Sequence, residues 1–132
     1  HYRQDIMDPH AVQPDPATTA MVAMALLRSG SNLREGEYQS ALRSALDYML
    51  NMIEHAPASS FTITDQTGTQ IQTKLGTNID VVLASQFLSN LLDGHLNHDV
   101  VLKNRVKRAN DICVVKIQRA QDRNGSLNGS GW

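Results

Sequence analysis

The stretch Asp15–Arg28, DPATTAMVAMALLR, decides how the chain is read. Asp15 can accept a hydrogen bond from a free first-turn amide, and Pro16 has its φ pre-set for the first helical position, so the pair predicts a helix start. Beyond it, apolar side chains from Ala17 to Leu27 fall on every side of a 3.6-residue helix rather than in one stripe. Such a helix is covered all round. No run in the chain approaches the ~18 apolar residues that span a bilayer, so the expected cover is protein.

Working outward, Ser29-Gly30-Ser31-Asn32 ends this helix and Leu33 to Gly36 make a short connection. The next segment, about Glu37 to His55, differs in kind. Tyr38, Leu42, Leu46, Met49 and Ile53 recur at three- and four-residue steps, while Gln39, Arg43, Asp47, Asn51 and Glu54 take the other side. A fully covered helix followed closely by an amphipathic one predicts an antiparallel hairpin over 15–55.

The order then repeats. A third helix is expected from Thr77 or Asn78 to about Asp93, with Val81, Leu83, Ala84, Phe87, Leu88 and Leu91 surrounding its axis. After Gly94 to His98, a fourth runs from about Asp99 to Gln121. Leu102, Val106, Ala109, Cys113, Ile117 and Ala120 form its apolar stripe, with Arg105, Arg108, Lys116, Arg119 and Arg123 on a separate face. Hairpins over 15–55 and 77–121, alternating covered and one-faced helices, imply two layers with the covered members inside.

Between them, residues 56–76 interrupt the helical pattern. Phe61-Thr62-Ile63-Thr64 and Gln70-Ile71-Gln72-Thr73 alternate apolar with polar around Asp65-Gln66-Thr67-Gly68, which predicts a two-stranded β excursion near 61–73. Residues 1–14, polar and broken by Pro9 and Pro14, are expected to form an extended arm, and residues 122–132 a terminal Gly/Ser/Asn loop. The fold class expected is therefore all-α, one helical-hairpin domain over 15–132 with a small β excursion.

Composition agrees with a folded domain. At 132 residues, 41% hydrophobic and only 5% aromatic, the core has to be built from Leu, Val, Ile, Met and Ala, a mix suited to helix packing. The net charge of -1 gives no whole-chain attraction to nucleic acid or anionic lipid. Its distribution is uneven: five basic against ten acidic residues up to His98, seven against three from Asp99 onward. Cys113 is the only cysteine, so no intrachain disulfide forms, and compartment stays open between cytoplasmic and secreted or periplasmic. His1 is not an initiator methionine, from which a processed, tagged or excised chain is expected.

The first two helices, ATTAMVAMALLRSGSNLREGEYQSALRSALDYMLNMIE, together with the later NIDVVLASQFLSNLL and the ending QRAQDRNGSLNGSGW, resemble the squalene–hopene cyclase and protein prenyltransferase superfamily. The resemblance implies an α/α-toroid, of which this chain shows two hairpins. It also implies a structural repeat closure at Gln118 or Gln121, Gly125 and Trp132, in which glutamine bonds a helix end, glycine turns and tryptophan covers the junction. The Gly125 to Trp132 spacing is longer than the usual repeat, and the closure is missing after the second helix.

No catalytic constellation accompanies that closure. The aspartate-rich motif of the cyclases has no counterpart here, because Asp5, Asp8 and Asp15 are isolated. The zinc set of the prenyltransferases needs an Asp, a Cys and a His, whereas Cys113 lies on an apolar stripe and reads as a core thiol. His95 and His98, flanked by Asp93 and Asp99, could bring two imidazoles to one turn but need a third ligand from elsewhere. No cofactor or metal is expected.

The expected function is a non-catalytic interaction or scaffold module, with a protein partner or self-association. Phe61, Ile63 and Ile71 on the β excursion and Arg105, Arg108 and Arg119 on the last helix are the candidate contact residues. One alternative is an N-terminal fragment of a terpenoid cyclase or prenyltransferase-like enzyme whose catalytic residues lie outside this chain; a weaker one is nucleic-acid binding through the basic face of the last helix. Whether the chain is an enzyme is left open.

Overall fold

The computed structural model describes residues 15–64, 68–76 and 78–128, and the described residues are all-α, with five helices and no strand. These are α1 (Pro16–Arg28), α2 (Gln39–His55), α3 (Gln70–Leu75), α4 (Ile79–Leu92) and α5 (Val100–Asn128). The expected arm over 1–14 and Trp132 lie outside the described residues.

α1 begins as its sequence dictates. Pro16 takes the first helical position, and the Asp15 carboxylate accepts from Thr18 N at 2.8 Å and from the Thr18 hydroxyl at 3.0 Å. α5 starts the same way, with Asp99 Oδ1 accepting from Leu102 N at 3.0 Å. Between α1 and α2, Asn32 Oδ1 accepts from both Arg34 N and Glu35 N, and Leu33 turns into the core. Gly36 has φ +108 and sits so close to Ser31 that an added Cβ would stand 2.9 Å from the Ser31 Cα.

α4 is the centre of the molecule, packed against α1 on one side and α5 on the other, with α2 closing over α1 and α5. Its Val81, Phe87, Leu88 and Leu91 are fully buried and meet Leu42, Met49 and Ile53 of α2 and Val106 and Cys113 of α5 in one apolar cluster. α1 and α4 run side by side in the same direction. Ala17 meets Asp80 at their N-terminal ends, and Met24 and Arg28 line one groove with Ser85 to Asn90 toward their C-terminal ends.

The structure corrects several expectations. The β excursion is not seen: Gln70–Leu75 is a helix, opened by a capping box in which Thr69 Oγ1 accepts from Gln72 N and Gln72 Oε1 accepts from Thr69 N. Alternation over four residues was outweighed by that local cap. Ile63 is not on a ribbon surface but buried in the core. α5 continues through Asn128, so the expected loop from residue 122 is helical that far and Gly125 lies within the helix.

The inner helices are not covered all round. Thr18, Val22 and Ala25 form an open flank on α1, Val22 being 51% exposed, and Gln86, Ser89 and Asn90 form one on α4. The amphipathic reading of α2 and the apolar stripe of α5 are both seen, except that Lys116, expected on the basic face, is only 2% exposed.

Candidate functional site

Asp80 carries the most constrained charge in the described structure. Its backbone lies in the first turn of α4, and its side chain reaches the first turn of α1, where Oδ1 accepts from Ala17 N at 2.9 Å. Oδ2 accepts from Gln72 Nε2 at 2.7 Å, which ties α3 to the same point. The residue is fully buried. The partial positive charges of two helix N-termini and an amide donor replace its lost hydration. Tyr48 lies near it, and its phenol is pushed up to about 12, first by burial and then by the charges of Asp15 and Asp80.

A second buried charge holds the segment after α2. The Lys116 ammonium donates to Pro57 O at 2.8 Å and Ser60 O at 2.7 Å. One turn further along α5, Arg119 Nη1 donates to Ala58 O at 2.8 Å, and its guanidinium stands 5.7 Å from the centre of the Phe61 ring. Burial lowers the pKa of Lys116, and the neighbouring Arg119 lowers it further. Three carbonyls of an irregular loop thus find donors on one helix face.

Two of the expected contact residues on α5 are therefore already occupied within the chain. Arg119 braces the loop, and Arg105 forms a bidentate pair with Glu54, Nε to Oε2 at 2.7 Å and Nη2 to Oε1 at 2.8 Å. The hydrogen bond from Arg105 holds the Glu54 carboxyl below its usual range. Arg108 is exposed and forms no hydrogen bond with a described residue. Phe61 and Ile71 are half-buried, while Gln118 and Gln121 are exposed on α5.

Two recesses bear on a candidate site. One, of about 390 Å³, is an open polar groove between α1 and α4 lined by Met24, Arg28, Ser85, Gln86, Ser89 and Asn90. Asn110 of α5 holds two of these side chains: its Oδ1 accepts from the Ser85 hydroxyl at 2.7 Å and its Nδ2 donates to Ser89 Oγ at 3.3 Å. The other, of about 310 Å³, joins the two interhelix loops and gathers Arg34, Glu35, His95 and His98. No three His, Cys, Asp or Glu side chains converge to hold a metal ion among the described residues.

Sequence reasoning did not single out Asp80, Gln72, Asn110 or the burial of Lys116. The capping-box pair Thr69 and Gln72 was a usable signal for α3. Nothing local marks Asp80, because its partner Ala17 is 63 positions away.

Comparisons with protein-family models, with curated proteins and with solved structures find no match for this chain. Among the described residues no helix is long and apolar enough to cross a membrane.

Proposed function

We propose that the chain is a non-catalytic interaction or scaffold module of helical-hairpin repeat type, related in architecture to the α/α-toroids of the squalene-cyclase and prenyltransferase kind. The observation that carries this reading is the pair α1 and α4, running in the same direction, each backed by an amphipathic partner helix and each keeping one open flank. Val22 and Ala25 on the α1 flank are apolar where a solvated helix face has no need of them. The side-by-side groove with Ser85, Gln86, Ser89 and Asn90 is the surface a partner would use.

The buried carboxylate and ammonium support the same reading, since both oxygens of Asp80 and the Lys116 ammonium are bound to structural partners. A photo-reactive residue placed at Gln86 is expected to cross-link a macromolecular partner, while one at the exposed Lys74 on α3 is not. Turnover of squalene or a prenyl diphosphate by the purified chain would overturn the non-catalytic reading in favour of the enzyme alternative.

A further inference from the structure

On a different face, α5 exposes residues that a solvated helix does not select. Val101, Arg105, Arg108, Ile112, Val115 and Arg119 follow one another at steps of four and three, the spacing of a helix-packing seam. Their line extends about 27 Å along the helix. Val101 is 80% exposed and Val115 50%, with Ile112 also exposed. β-Branched residues lower helix propensity, so three of them on an outer face have to be explained by what they touch.

The neighbouring helix α2 supplies the opposite charge. Glu54 and Asp47 are exposed there, and both carboxylates lie close enough to act on the Arg105 guanidinium. Glu54 is also influenced by Arg108. Asp47, Glu54, Arg105 and Arg108 therefore share this face, and of these four Glu54 and Arg105 form the ion pair. Asp47 and Arg108 are both exposed. A surface that presents an apolar seam together with an exposed acid and an exposed base can meet a second copy of itself under a two-fold rotation, acid against base in both directions.

We propose that two copies of this chain associate through the α2–α5 face, packing Val101, Ile112 and Val115 together and pairing Asp47 of each copy with Arg108 of the other. This goes beyond the groove between α1 and α4, which the association leaves open. The seam provides apolar burial and the reciprocal pairs fix the orientation.

Sedimentation velocity on the full chain tests it. The unmodified protein is expected to dimerise, and Asp47→Arg or Arg108→Asp alone to weaken the dimer roughly 10- to 100-fold by setting like charges opposite each other at both pairs. The double variant Asp47→Arg/Arg108→Asp is expected to regain most of that loss, a rescue that a general effect on folding does not give. Val115→Glu is expected to abolish the dimer while leaving the circular dichroism unchanged, because the site is exposed in the monomer. A protein still monomeric at about 200 µM, single charge reversals that stay dimeric, or a double variant no better than the singles would each overturn the proposal.

Discussion

The carboxylate of Asp80 accepts the backbone N–H of Ala17 at 2.9 Å, so the second residue of one helix completes the first turn of another. Removing it leaves a buried amide without an acceptor and Gln72 without its anchor. Asp80→Ala is expected to destabilise the chain by about 2–4 kcal/mol in urea unfolding, and Asp80→Asn by about 1–2 kcal/mol, since it keeps one acceptor oxygen but loses the charge.

Lys116 stands between two carbonyls and one apolar core. Lys116→Met keeps the packing of its stem but leaves Pro57 O and Ser60 O without their donor. The expected cost is about 1–3 kcal/mol. Amide exchange should speed up over residues 57–61 while the centre of α4 stays protected.

Gly36 and Gly30 separate conformational strain from crowding. Both have positive φ, but an added Cβ at Gly30 meets nothing within 4 Å whereas at Gly36 it meets the Ser31 backbone. Gly30→Ala is expected to cost about 1 kcal/mol, the left-handed penalty alone, and Gly36→Ala at least ~2 kcal/mol, both read from thermal or urea unfolding.

Tyr48 gives a pH dependence with a definite sign. Its phenol ionises near 10 in an unfolded chain and at about 12 in the folded one. Between those values the unfolded state has already lost a proton that the folded state retains, so stability falls as pH rises through that window. Absorbance titration at 295 nm should show one tyrosine ionising late, and Tyr48→Phe should remove both that step and its share of the alkaline loss.

Glu54 has the opposite sign. Its folded pKa is lowered by Arg105, so the pair stabilises the protein above the usual carboxylate range and the contribution is lost as pH falls through the folded value. Both side chains are partly exposed, and the difference between Glu54→Gln and the unmodified protein at pH 7 is expected to be ~0.5 kcal/mol, shrinking with salt and with acid.

What was legible in the sequence follows from how far each signal reaches. The cap at Asp15 and Pro16, the stripe of Leu42, Leu46, Met49 and Ile53, and the stripe of Val106, Ala109 and Cys113 are local patterns, and each stands where its spacing puts it. The strand pair failed because Gln70 to Thr73 is too short for alternation to outweigh the Thr69 and Gln72 cap. Burial of Lys116 was illegible, since a lysine is placed on the wet face unless a loop 56 to 59 residues away brings it carbonyls. The open flanks of α1 and α4 were hidden for a related reason. Composition shows how apolar a helix is, while the neighbours that cover it are set by the rest of the assembly.

The 63-residue separation between Ala17 and Asp80 also has a temporal side. During synthesis α1 emerges long before its acceptor is made, a delay of about 3–12 s at ordinary translation speeds of roughly 5–20 residues per second. Over that interval the opening turn of α1 has Asp15 as its side-chain acceptor but not yet Asp80, so the first hairpin is made before the contact that completes its start.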